Sequence, residues 1–99
     1  MTIDEYAQWA AAAGKPTGDT HEQRLAYLVL GLIGEAGELA DTARRMMRGD
    51  TLDEISLVYE LGDILYHWAC LCAELGQTPS TLLAKSQANI AARIAAANR

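Results

Sequence analysis

Two short acidic motifs hold the side chains best suited to chemistry: Glu35-Ala36-Gly37-Glu38 and Glu60-Leu61-Gly62-Asp63. In each, two carboxylates stand three residues apart, which places them on one face of an α-helix. Residues 35 and 63 are equally far from Gly49, and so are 38 and 60. If the chain reverses at Gly49 as an antiparallel helical hairpin, Glu35 comes level with Asp63 and Glu38 with Glu60. Four carboxylates so arranged repel one another unless they are protonated or bridged by cations. An all-oxygen set of this kind suits Mg²⁺ or Mn²⁺ better than iron or zinc. Such ions would bridge the acids to phosphate oxygens and lower the pKa of a bound water. A carboxylate not fully used as a ligand would orient or deprotonate that water. The plain alternative is a solvated acidic stripe.

These acids need helices to carry them, and the chain supplies helix signals throughout. Thr2 with Glu5 is a capping box, and Ile3, Tyr6, Ala7, Ala10 and Ala13 recur at helical spacing, so residues 2–13 read as a first helix ended by Gly14. Thr20 or Asp19 caps a second, 20–47, whose apolar stripe is Leu25, Leu28, Val29, Leu32, Ala36, Leu39, Ala43 and Met46. Gly31, Gly34 and Gly37 share a face of this helix, and each costs about 1 kcal/mol relative to Ala, which asks for a close neighbour. Gly49 suits the stop. Thr51 with Glu54 reads as the box that opens a third helix, 52–75, stopped by Gly76. That helix is apolar nearly all round from Ile64 to Ala73, which predicts burial by a second subunit. Thr78-Pro79 opens a fourth, 79–97, packed by Leu82, Leu83, Ala88, Ile90, Ala91 and Ile94.

Other side chains share the acidic face or border it. Arg45 is seven residues after Glu38 and within reach of a phosphate, although Arg44, Arg45 and Arg48 also complement the helix dipole. His67 falls four residues after Asp63, as a hydrogen-bonded interior histidine or a ligand. Lys85, Asn89 and Arg93 are spaced four and four along the last helix, a polar-basic stripe whose default role is a solvated face. Tyr6 and Trp9 pack on a neighbouring helix or stack on a planar ligand.

The 99 residues are enough for a single domain, 1–99, with a modest core that oligomerisation would reinforce. A net charge of −5 argues against a nucleic-acid surface. The N-terminal residues lack a signal-peptide pattern, and no apolar run approaches a membrane span of about 18 residues. Cys70 and Cys72 point in different directions on a helix and read as buried free thiols of a cytoplasmic protein. A strand-borne phosphate loop and a Ser-His-Asp triad are both without support.

The two acid motifs with their context, Gly34-Glu35-Ala36-Gly37-Glu38-Leu39-Ala40-Asp41 and Glu60-Leu61-Gly62-Asp63-Ile64-Leu65-Tyr66, followed by Ala73-Glu74-Leu75-Gly76, resemble the MazG-like all-α nucleoside triphosphate pyrophosphohydrolases. The resemblance covers roughly residues 20–95. It implies an all-α helical-bundle homodimer or homotetramer and Mg²⁺-dependent cleavage of nucleoside triphosphates, often deoxy or noncanonical ones, to monophosphate and pyrophosphate, a house-cleaning activity. Glu35, Glu38, Glu60 and Asp63 match the metal ligands, with water orientation or general-base work unassigned between Glu35 and Glu38. The family's last helix often carries Asn followed three residues later by Lys. Here Asn89 is followed by Ala92, with Arg93 next and Lys85 one turn before. Lys85, Asn89, Arg93 and Arg45 are the expected phosphate contacts, and Tyr6, Trp9 and His21 the candidates for the base. The alternative is a non-catalytic helical dimer that binds nucleotide or protein.

Overall fold

In a computed structural model that describes residues 1–51 and 53–99, the chain is all-helical, with four helices and no strand among the described residues. They are α1 (Ile3–Ala13), α2 (His21–Met47), α3 (Glu54–Glu74) and α4 (Pro79–Ala97). Local chemistry sets most of their ends. The Thr2 hydroxyl accepts the Glu5 N–H while Glu5 accepts the Thr2 N–H, and Thr20 and Gln23 make the same exchange at α2. Each box satisfies donors that the first helical turn leaves open. At α4, Thr78 accepts from Thr81 and Pro79 opens the first turn.

The start of α3 differs from the expected Thr51–Glu54 box. Asp53 is the cap, accepting the Ser56 backbone N–H at 3.2 Å and the Ser56 hydroxyl at 2.8 Å. Asp is as strong an N-cap as Ser and stronger than Thr, and Ser56 gives it two donors. The expected boundary at residue 52 lies outside the described residues. The stops of α2 and α3 share one geometry. Gly49 (φ +95°) bonds back to the Met46 carbonyl and Asp50 to that of Arg45, while Gly76 (φ +67°) bonds to Ala73 and Gln77 to Cys72. These are paired Schellman bonds around a positive-φ residue, a conformation glycine adopts without steric cost.

The helices pack α2 against α3, α1 against α3 and, less extensively, α1 against α4. Along α2 and α3 the pairs run in opposite chain directions: Arg24 with Glu74 at one end, Gly31 with His67, and Thr42 with Glu60 toward the other. The core is small and built on Ala7, Ala10, Leu28, Ala69 and Cys70, with Tyr6, Tyr66 and Leu71 packed around it. Cys70 and Cys72 are buried free thiols, and burial raises both their pKa values.

One packing expectation is corrected. The apolar stripe of α4 does not pack within the chain: Leu83, Ile90 and Ile94 are about half exposed, because only the start of α4 meets α1. There the Asp4 carboxylate accepts the Ser80 N–H at 2.9 Å and the Ser80 hydroxyl. The stripe of α2 is likewise only partly used, with Leu28 buried but Val29 and Met46 exposed.

Candidate active site

The acids sit on the paired helices α2 and α3. The Glu35 carboxyl is pushed above the usual range, first by burial, then by the charge of Glu38 on its own helix and that of Asp63 across the pair. His67 opposes this by favouring the charged form. Glu35 thus feels the charge of its neighbour on α2 and of an acid on α3.

Glu60 is held differently. The Thr42 hydroxyl lies 3.0 Å and 3.3 Å from its two carboxylate oxygens. Thr42 in turn accepts a hydrogen bond from Arg45 Nη2 at 3.2 Å. Arg45 also pairs with Asp41, Nε to Oδ2 at 3.5 Å. Its guanidinium is thus tied to neighbours on its own helix.

His67 has a defined orientation. Its Nδ1 is 3.0 Å from the Asp63 carbonyl oxygen. A carbonyl only accepts, so Nδ1 carries a proton. The ring lies against Gly31, where an added Cβ would stand 2.7 Å from the His67 Cδ2. This accounts for one of the three aligned glycines. Gly34 and Gly37 face open space.

Aromatic rings lead from α1 to this face. Tyr6 and Trp9 have centroids 5.7 Å apart, Trp9 and Tyr66 6.1 Å, and Tyr66 and His67 5.7 Å. Tyr6 is packed against the core, whereas Trp9 is 58% exposed. His21 is elsewhere: its Nδ1 lies 3.1 Å from Glu74, which also accepts from Arg24 Nε at 2.7 Å. At about 1.5 Å per residue, His21 is roughly 20 Å along α2 from Glu35. Lys85, Asn89 and Arg93 are exposed on α4, with no hydrogen bond or ion pair to the acids among the described residues.

As placed, no three His, Cys, Asp or Glu side chains are gathered as a ligand set among the described residues. The donors still fit a hard divalent cation in type. They are carboxylate oxygens from two rigid helices, with Glu35 already repelled by Glu38 and Asp63. Spacing marked all four acids but missed Thr42 and Tyr66. Thr42 is four residues after Glu38 and Tyr66 three after Asp63, so helical periodicity puts both beside the acids.

Four helices with acid pairs on two that pack together define an all-α protein with a carboxylate face. The model of the MazG nucleotide pyrophosphohydrolase domain matches residues 21–93, and the chain belongs to that family. No curated protein and no solved structure matched the chain.

Proposed function

We propose that the chain hydrolyses nucleoside triphosphates, deoxy or noncanonical ones in particular, to the monophosphate and pyrophosphate, and that it does so with Mg²⁺, for which Mn²⁺ can substitute. The observation that carries this reading is the family match over residues 21–93 together with the packed helix pair α2 and α3 that bears Glu35, Glu38, Glu60 and Asp63, where Glu38 and Asp63 crowd the Glu35 carboxyl. In a chain of this family, that crowding suits cation binding and phosphate chemistry.

Glu35, Glu38, Glu60 and Asp63 would hold the metal. When bound, Mg²⁺ supplies neutralising charge to the phosphate oxygens and lowers the pKa of a coordinated water. Glu35 or Glu38 orients the attacking water and takes its proton. Water adds to phosphorus as the bridging P–O bond between the α and β phosphates breaks, and pyrophosphate leaves. The exposed Trp9 offers a stacking surface for the base, linked to His67 through Tyr66. Lys85, Asn89 and Arg93 contact the phosphates, together with Arg45 once it is released from Asp41. Clearing unwanted nucleotides from the pool is the fitting use.

We further propose that the working unit is a homodimer or a homotetramer. The chain exposes 7130 Å². A compact monomer of this mass exposes about 5,500 Å². The excess, roughly 1,600 Å², is of the order that one partner covers in an obligate dimer. The radius of gyration is 16.2 Å, against about 13 Å for a compact chain of this length. Ile33 and Leu30 on α2, Val58 and Tyr59 on α3, and Ile90 and Ile94 on α4 are among the side chains left in solvent.

The test is an assay of purified protein on a panel of common and damaged nucleotides with Mg²⁺ or Mn²⁺. Pyrophosphate release from at least one of them is expected. Silence across the panel overturns the proposal.

A further inference from the structure

Thr42 is the one buried polar residue among those described, 7% exposed. A threonine in the middle of a helix ordinarily returns its hydroxyl to the carbonyl four residues back. That acceptor is present here, the Glu38 carbonyl at 3.3 Å. The hydroxyl has a single hydrogen, and the nearer, charged acceptor is Glu60 at 3.0 Å. Hydrogen bonds to ionised acceptors are roughly twice as strong as neutral ones, so the hydrogen goes across the helix pair to Glu60. Arg45 donates into the same oxygen at 3.2 Å and occupies a lone pair, which leaves the hydrogen free to point at the carboxylate.

We propose that Thr42 is a positioning residue for metal binding: its hydroxyl, set by Arg45, fixes the Glu60 carboxylate in a chosen orientation on the acidic face. The inference rests on the metal-site reading above. Long acidic side chains lose rotamer freedom when they become ligands, and a pre-set carboxylate has less to lose. Outer-shell partners of this kind are worth about 10–100-fold in metal affinity.

Mn²⁺ binding to the full chain, followed by the electron paramagnetic resonance of the free ion and without nucleotide, tests this. Thr42→Val keeps the shape and removes the hydroxyl, and its Kd is expected to rise about 10–100-fold. Thr42→Ser keeps the hydroxyl and is expected to retain the wild-type Kd, which a purely steric role would not produce. An unchanged Kd in Thr42→Val, with the wild type binding, overturns this proposal alone. Wild-type protein that takes up no Mn²⁺ overturns it together with the metal-site reading. Should Thr42→Val not fold, Arg45→Met decides. A raised Kd supports the Arg45–Thr42–Glu60 chain, and an unchanged one overturns it.

Discussion

At the scale of single residues, the four acids were legible because their meaning is in their spacing. An i, i+3 pair on a helix states its own geometry, but the mirror about Gly49 does not fix what each acid meets: Glu60 meets Thr42, and no three acids are gathered among the described residues. Thr42 was not legible, because its role depends on a side chain from another helix arriving at 3.0 Å. His21 was misleading for a similar reason: Glu74 engages it. Replacing Glu38 by Gln or Asp63 by Asn is expected to reduce turnover by roughly 100-fold or more, since even the outer partners of ligands cost about 10–100-fold. Circular dichroism should show the helices intact. A variant that retains full turnover would remove that residue from the metal set. Gly14 offers a stability test. A Cβ there would fall 1.8 Å from the Tyr66 hydroxyl. Gly14→Ala should therefore cost about 1–3 kcal/mol by overpacking, as read from denaturant unfolding.

At the scale of elements, caps and stops were readable because they are local. Thr2 and Thr78 cap where the sequence places them, Thr20 rather than Asp19 caps α2, and Gly49 and Gly76 end α2 and α3. The α3 start was missed because Thr51 and Asp53 compete two residues apart, and Ser56 decides between them. Tertiary clamps lie beyond such signals. Glu74 joins α3 to α2 through Arg24, and its carboxyl is held below the usual value of 4.5, first by the hydrogen bond from Arg24 and also by His21. A carboxyl depressed by folding stabilises the fold above the unfolded pKa and loses that contribution as pH falls through the folded one. Glu74→Gln should thus lower the melting temperature at pH 7. The difference from wild type should shrink as pH drops below about 4.5. A difference that stays constant from pH 7 to pH 3 would show that the clamp contributes nothing through charge.

For the whole molecule, periodicity identified which helix faces are apolar but not what covers them. The stripe of α4 is regular in sequence yet bare in the chain, as are Leu30 and Ile33 on α2. The apolar run of α3 from Ile64 to Ala73, which asked for a second subunit, is instead largely covered within the chain by α1 and α2, with Ala69, Cys70 and Cys72 buried; the bare apolar side chains of α3 come before it, Ile55, Val58, Tyr59 and Leu61. Light scattering is expected to give a dimer or tetramer mass, and the melting temperature should climb with protein concentration. A monomer with a concentration-independent melting temperature would refute the assembly. No helix among the described residues is long and apolar enough to cross a membrane.

On the function proposed above, the carboxylate face of α2 and α3 drives metal-dependent pyrophosphohydrolysis. Product identification tests it most directly: wild type and Asp63→Asn are incubated with the same deoxynucleoside triphosphates, with Mg²⁺ or with a chelator, and the products are separated by chromatography. Monophosphate and pyrophosphate are expected from the wild type with Mg²⁺ alone. Diphosphate with inorganic phosphate, or equal turnover in the chelator or in Asp63→Asn, would contradict it.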